Sequence, residues 1–156
     1  MQINTIAATT NAPVEAIWQL WTNPRYWARW DPDVAQVEMK GAFKQGATGT
    51  ITHPDGTTST FQVMSCEIHR SYVMSVQVSK GVELLIKREC HPEGDFFKMQ
   101  QELTLIASPF TKLLFAARKD AMQKNALKAM DTMWNLLQGD LGFIEGLSGQ
   151  GQRVRI

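Results

Sequence analysis

The stretch FTKLLFAARKDAMQKNALKAMDTMWNLL, residues 110–137, decides the fold. Its apolar residues recur at intervals of three and four, which is the period of an amphipathic α-helix. The apolar stripe comprises Phe115, Met122, Ala126, Met130, Met133 and Leu137, widened by Leu127 and Trp134. At a rise of about 1.5 Å per residue, a single helix over this stretch reaches roughly 40 Å. It is therefore long enough to cross a whole β-sheet.

Upstream of this helix the sequence alternates with a period of two, which predicts a series of antiparallel strands. Turn signals separate them, the strongest being Pro54-Asp55-Gly56. The predicted strands cover residues 2–9, 34–40, 47–53, 58–69, 71–79, 82–90 and 96–106. After the first strand, the helical spacing of residues 14–22 and the prolines that flank residues 24–30 predict two short helices.

The order of these elements predicts the architecture. Six or more consecutive strands with one apolar face need a cover, and the final helix is the only large one available. We therefore predict an α+β fold: a curved antiparallel sheet of six to seven strands wrapped around the long C-terminal helix. The two short helices close one end. We expect one domain over residues 1–147 and a flexible tail over residues 148–156, which are rich in Gly and Gln.

The composition argues against several classes of function. The 156 residues carry a formal net charge of +1, which gives no argument for a nucleic-acid or anionic-membrane partner. No apolar stretch approaches the roughly 20 residues of a membrane span, and no signal peptide is recognisable. The two cysteines, Cys66 and Cys90, form no framework, and the histidines lack metal-ligand spacing. We therefore expect a cytoplasmic protein without metal or cofactor.

Two segments carry a resemblance to a known family: TNAPVEAIW, residues 10–18, and TNPRYWARWDP, residues 22–32. They resemble the opening of the START-like (SRPBCC) superfamily, in particular its polyketide cyclase/dehydrase and lipid-transport group. Asn23-Pro24 replaces the Asp-Pro that is common in that group, and Trp30-Asp31-Pro32 supplies the second part of the motif. The element order agrees over residues 2–140. The resemblance implies a helix-grip fold with a deep apolar pocket between the sheet and the C-terminal helix.

The candidate ligand-binding residues share the apolar phase of the strands, the helix stripe or the family motif. They are Trp30, Phe61, Tyr72, Met74, Arg88, Phe97, Met99, Gln101, Met122, Ala126, Met130 and Met133. Arg88 shares the strand phase of Ile86, and Gln101 shares that of Met99. If both point inward, they can orient a carboxylate, a carbonyl or a phenol. Two alternatives stay open: Arg88 can reach water from its strand end, and Met and Phe side chains can simply fill the interior.

The remaining reactive side chains are interpreted as structural. His53 and His91 each precede a proline in a predicted turn, and His69 ends a predicted strand, so all three are placed on the surface. Cys66 and Cys90 are interpreted as small buried side chains, with a neighbouring position across strands left open. The sequence contains no nucleophile elbow, phosphate loop or dinucleotide fingerprint, so we assign no catalytic residue.

Three hypotheses for function follow from the sequence. The preferred one is binding of a small apolar or aromatic molecule, such as a lipid or a polyketide, between the sheet and the C-terminal helix. The first alternative is a cyclase, aromatase or dehydratase that uses Arg88, Gln101 or Tyr72 for positioning and proton transfer. The second is a protein-interaction subunit without a ligand, as the co-chaperones of the superfamily are. Whether the chain is an enzyme, and whether it forms a homodimer, stays open.

Overall fold

One antiparallel sheet forms the scaffold of the molecule. A computed structural model describes residues 1–138 and the backbone of Arg153–Val154. Its strands are β1 (Gln2–Thr10), β2 (Gln36–Met39), β3 (Thr48–Thr52), β4 (Thr58–Glu67), β5 (Ser71–Ser79), β6 (Val82–Glu93), β7 (Phe96–Ile106) and the two-residue β8 (Arg153–Val154). They lie in the order β2-β3-β4-β5-β6-β7-β1-β8. Strands β2 to β7 thus lie side by side in chain order. The first strand of the chain, β1, pairs with the outer side of β7.

The helices lie at the two ends of the chain order. The first group is α1 (Val14–Thr22), a 3₁₀ turn and α2 (Trp27–Trp30); the second is α3 (Pro109–Phe115), a 3₁₀ turn and α4 (Lys119–Gln138). The predicted class, a helix-grip fold with short helices after the first strand and a long C-terminal helix, is confirmed. Within the described residues, no helix combines the length and apolarity that a membrane crossing requires.

Two tryptophans of α2 hydrogen-bond the end of α1. Trp27 Nε1 donates to the carbonyl oxygen of Trp21 at 3.0 Å. Trp30 Nε1 donates to the carbonyl oxygen of Leu20 at 2.8 Å. The last carbonyl groups of a helix have no hydrogen-bond donor within the helix, and leaving them buried without one costs free energy. The two tryptophan N–H groups supply these donors. The tryptophans of the family motif therefore fix how α2 folds back on α1.

Aromatic side chains from α1, α2, the β2–β3 loop, β4 and β5 pack together in the interior. The ring centroids of Trp27 and Phe61 are 5.3 Å apart, and those of Phe43 and Tyr72 are 5.0 Å apart. Trp21 meets Tyr72 edge to face at 6.3 Å. Such pairs add to the burial energy of the rings themselves. Around these rings, large side chains occupy the interior.

The helix predicted over residues 110–137 is interrupted. A 3₁₀ turn at Ala116–Arg118 separates α3 from α4, so only 20 residues form the long helix. Ala126, Met130, Met133 and Leu137 are buried as predicted. Leu127 is 55% exposed, and its assignment to the stripe was wrong. It lies about 100° around the helix from Ala126, which turns it away from the sheet.

Several predicted boundaries need correction. His91 and Pro92 lie within β6, which continues to Glu93, and not in a turn. The N–H group of Cys90 still donates to the carbonyl oxygen of Arg70. At Pro92, β6 pairs only with β7 among the described strands, and a residue without an N–H group is tolerated there. His69 lies in the turn between β4 and β5, with a left-handed φ of 63°. The predicted flexibility of residues 148–156 lies outside the described residues, apart from Arg153–Val154.

Candidate functional site

The sheet and α4 enclose a small space, here called the inner cavity. Its volume is about 80 Å³, and its lining includes Asp31, Ile86, Arg88, Gln101, Ala126 and Ala129. The two alanines of α4 leave this space open, because each projects only a methyl group toward β6 and β7. A cavity of this size can hold a small polar group or about two water molecules.

A larger depression, here called the outer groove, adjoins the inner cavity. Its volume is about 630 Å³, and it shares Asp33, Leu84, Met122 and Asn125 with the lining of the inner cavity. The apolar part of its wall comprises Val76, Val78, Leu84, Phe115, Ala121 and Met122. The deep apolar pocket that the resemblance implies is therefore replaced by a small inner cavity and a wide outer groove. The rings of Trp27, Phe43, Phe61 and Tyr72, which pack together in the interior, are the physical reason.

A row of three polar side chains crosses the sheet beside the inner cavity. Tyr72 on β5 is the register partner of Arg88 on β6, and Arg88 is the register partner of Gln101 on β7. Arg88 Nε donates to Gln101 Oε1 at 2.7 Å, and Arg88 Nη1 donates to the hydroxyl oxygen of Tyr72. The guanidinium also lies over the Trp30 ring, 4.8 Å from its centroid. All three members of this row are buried.

Among the described residues, no carboxylate forms an ion pair with Arg88. The ion pairs among the described residues join Arg70 to Glu67, and Lys87 and His91 to Glu89. Within the same part of the chain, the Nη2 group of Arg88 makes no hydrogen bond. Arg88 is only 3% exposed and arginine stays protonated in proteins, so the row holds a buried positive charge with an unused donor group.

Burial favours the neutral form of both acids near this charge. It raises the pKa of the Asp31 carboxyl group, an effect that the hydrogen bond from the backbone of Asp33 and the charge of Arg88 oppose. It also raises the pKa of the Tyr72 phenol, and again Arg88 acts in the opposite direction. Neither group supplies a negative charge as readily as an exposed acid does. The lining of the inner cavity thus combines the positive charge of Arg88 with two acids, Asp31 and Asp33, and burial favours the neutral form of Asp31.

The predicted site residues divide into two groups. Arg88, Gln101, Met122 and Ala126 line the inner cavity. The others belong to the packed interior or its margin: Trp30, Phe61, Tyr72, Met74, Met99, Met130 and Met133 are buried, and Phe97 is half-buried. Of these, Trp30 and Tyr72 do not line the inner cavity, but both contact the guanidinium of Arg88, which does.

The sequence did not predict several polar residues of the two spaces. Asp31, Asp33 and Asn125 line them, and so do His53 and Ser59 in the outer groove. One signal was available, because Asp31 directly follows the tryptophan of the family motif. His53 was placed on the surface, but it is half-buried and hydrogen-bonded through both ring nitrogens.

The two cysteines do not act as nucleophiles at neutral pH. Burial raises the pKa of the Cys90 thiol to about 12 and also raises that of Cys66, so both stay protonated. Their strands, β4 and β6, are separated by β5. The two thiols are therefore not cross-strand neighbours, which closes the alternative that the sequence left open.

Both the sequence and the fold are similar to those of known proteins. The family model described as polyketide cyclase / dehydrase and lipid transport matches residues 1–137. A comparison with curated protein sequences finds no match. DynU16, from the dynemicin biosynthetic locus, superimposes with a TM-score of 0.67 at 15% identity, covering 85% of this chain and 46% of DynU16. This chain therefore spans about half of DynU16.

Two further solved structures have similar lengths. Ara h 8.0201 superimposes with a TM-score of 0.67 at 13% identity, covering 87% of this chain and 97% of that protein. CalU16 from Micromonospora echinospora superimposes with a TM-score of 0.52 at 18% identity, covering 83% of this chain and 82% of CalU16. At such low identities, the similarity establishes the fold and not the ligand.

Proposed function

Because the chain belongs to the polyketide cyclase/dehydrase and lipid transport family, we propose that it binds a small apolar or aromatic molecule with an anionic oxygen at one end. The oxygen lies in the inner cavity against Arg88, and the apolar body lies in the outer groove. The observation that carries this proposal is the buried guanidinium of Arg88, which lines the inner cavity and forms no ion pair with a carboxylate in the part of the chain that the structure describes.

The energetic argument rests on the cost of burying a charge. A buried ion without a counter-charge is unfavourable, because water no longer solvates it. Gln101 and Tyr72 accept hydrogen bonds from the guanidinium but bring no negative charge while the phenol is protonated. A carboxylate ligand supplies both the charge and an acceptor for Nη2. Hydrogen bonds to charged groups contribute about 1.5–3 kcal/mol each.

The volumes of the two spaces match a ligand with a small polar end and a larger apolar body. Sites for small molecules usually have volumes of about 300–1,000 Å³ and mostly apolar walls with a few polar groups. The outer groove, at about 630 Å³, lies in this range, whereas the inner cavity, at about 80 Å³, accommodates only the polar end. Short lipid-like or aromatic carboxylates therefore match the combined shape.

A series of matched ligands tests the proposal. We expect medium-chain and aryl-alkyl carboxylates to bind about 10-fold more tightly than their primary amides, because a charged hydrogen bond exceeds a neutral one by about 1–1.5 kcal/mol. Affinity should also rise with each added methylene group, which contributes up to about 0.8 kcal/mol when buried. Isothermal calorimetry measures both trends. Equal affinity for acid and amide, or no binding by any member of the series, would contradict the proposal.

A cyclase-like reaction is an alternative use of the same row. Tyr72 keeps its proton because its pKa is raised, but its hydroxyl donates to the carbonyl oxygen of Trp21 at 3.4 Å and does not line the inner cavity. Gln101 cannot remove a proton, and arginine stays charged. The row by itself therefore supports binding and polarisation of a carbonyl oxygen better than the proton abstraction that a condensation requires.

A second candidate function, a protein-interaction subunit, is favoured by an exposed apolar surface on α3. Phe110, Leu113 and Leu114 are 71%, 73% and 61% exposed. Their spacing of three and four places them on one face of the helix. Large apolar side chains grouped on a surface are typical of contact sites between proteins. This surface lies outside the lining of the inner cavity and the outer groove, so the two functions can be tested separately.

The double substitution Leu113→Glu and Leu114→Glu tests the second candidate. If α3 mediates self-association, the unmodified chain sediments as a concentration-dependent dimer or larger species, and the variant sediments as a monomer. The charged side chains remove the apolar contact without reaching the inner cavity, so carboxylate affinity should stay within twofold. A chain that remains monomeric over the accessible concentration range would exclude self-association through α3.

A further inference from the structure

The outer groove contains a serine and a histidine in hydrogen-bond contact. Ser59 Oγ lies 2.7 Å from His53 Nε2, and His53 Nδ1 lies 2.7 Å from the carbonyl oxygen of Asp33. Both side chains line the groove. Ser59 is 5% exposed and shares the inward phase of Phe61 on β4. The proposed binding of an anionic group at Arg88 makes no use of this pair.

The chemistry of the partners fixes where the imidazole proton lies. A backbone carbonyl oxygen can only accept a hydrogen bond, so Nδ1 of His53 must carry the proton and donate it to Asp33. In the neutral ring, Nε2 then has a free lone pair and accepts the hydroxyl proton of Ser59. This is the arrangement of a nucleophile with its general base, in which a third group orients the base.

The orienting carbonyl group is itself held in place. The N–H group of Asp33 donates to Asp31 Oδ1 at 2.9 Å, and Asn125 Nδ2 on α4 donates to Asp33 Oδ1 at 3.0 Å. The N–H group of His53 donates to the carbonyl oxygen of Thr57 at 2.8 Å across the β3–β4 turn. The imidazole is therefore fixed from the loop after α2, from α4 and from its own hairpin.

We propose that His53 and Ser59 form a catalytic dyad that transfers the acyl group of a carboxylic ester or thioester. The acyl chain lies along the apolar wall of the outer groove, where Val76, Leu84 and Met122 are lining residues. Arg118 brings a positive charge into the same lining, with its guanidinium 5.3 Å from the Phe115 ring centroid. A developing oxyanion in the groove is stabilised by such a charge.

The reaction proceeds in two balanced steps. Ser59 Oγ forms a bond to the acyl carbon as its proton passes to His53 Nε2. The bond from the acyl carbon to the leaving oxygen or sulfur then breaks, and the leaving group takes that proton. In the second step, water attacks the acyl-serine, His53 Nε2 takes its proton and returns it to Ser59 Oγ, and the carboxylic acid is released. No oxidant, reductant or further co-reactant is needed.

Covalent labelling and ester cleavage test the dyad together. With a fluorophosphonate probe, we expect mass spectrometry of the intact chain and its peptides to place one adduct on Ser59. With p-nitrophenyl butyrate, we expect Ser59→Ala and His53→Gln each to lower the rate by about 100-fold or more, in line with the usual contribution of a general base. Circular dichroism on the same samples confirms that the variants remain folded.

Matched substitutions elsewhere provide the controls. Ser65→Ala changes an exposed serine on the same strand, and His91→Gln changes an exposed histidine on β6; both should cleave the ester at the original rate. An unlabelled Ser59 in the unmodified chain, or ester cleavage that survives Ser59→Ala, would overturn the dyad. Neither result affects the proposed binding function, because carboxylate affinity is measured with ligands that cannot be cleaved.

Discussion

Replacing Arg88 by methionine is expected to weaken carboxylate binding by about 100-fold. Methionine retains much of the apolar volume but removes the charge and every N–H donor that the ligand contacts. Truncating one partner of a buried, hydrogen-bonded charge pair costs about 2–5 kcal/mol, which corresponds to a loss of this order or larger. Calorimetry with the tightest-binding member of the carboxylate series measures the change directly.

The same substitution should leave the fold stable. It removes a buried charge that has no counter-ion among the described residues, and the relief of this cost offsets the two lost hydrogen bonds. We therefore expect the melting temperature of the free protein to change by only a few degrees. Arg88→Lys retains the charge but not the planar set of donors, so its affinity should lie between those of the other two forms.

Lys87 provides the matched control for Arg88. It is the next residue on β6, it is exposed, and its ammonium group lies 3.0 Å from a carboxylate oxygen of Glu89. Lys87→Met removes one positive charge from the chain without changing the inner cavity. If this variant loses as much affinity as Arg88→Met, the ligand responds to the overall charge and not to the buried guanidinium.

Local patterns account for the parts of the fold that the sequence predicted. The strand phase of residues 71–79 and 96–106 and the helical spacing of residues 14–22 depend on neighbours in the chain, and these elements form with those bounds. The inward phase of Arg88 and Gln101 is likewise a local property, and both are buried. The break at Ala116–Arg118 has no glycine or proline to signal it, so periodicity alone missed it.

The arrangement of the site depends on contacts between distant residues, and for this reason the sequence did not predict it. Tyr72, Arg88 and Gln101 form a row because of the register of β5 with β6 and of β6 with β7. The alternation of a strand predicts which face of the sheet a side chain occupies, but not its neighbours on the adjacent strands. His53 contacts Asp33 across 20 positions of sequence. The volume of the inner cavity depends on how the aromatic rings pack, which composition does not determine.

Replacing Ala126 by leucine is expected to close the inner cavity and to remove the contact between the carboxylate and Arg88. The added three carbon atoms enter a space of about 80 Å³ beside Arg88. Empty volume costs about 24 cal/mol per Å³, so filling this space can stabilise the fold by up to about 2 kcal/mol. The leucine side chain also separates the Nη2 group of Arg88 from water, and this cost reduces the gain in stability. We expect the melting temperature to stay constant or rise while carboxylate affinity falls by about 100-fold, as in Arg88→Met.

Combining Arg88→Met and Ala126→Leu in one chain tests whether both remove the same interaction. If the anionic oxygen binds at Arg88, Ala126→Leu adds no further loss in a chain that already carries Arg88→Met, because both remove the same interaction. Ala117→Leu is the control, since Ala117 is exposed and lies outside the lining of both spaces. Independent, additive losses would place the oxygen elsewhere in the outer groove. Unchanged affinity in Ala126→Leu would show that the ligand does not enter the inner cavity. It would also contradict the proposed binding of the anionic oxygen by Arg88.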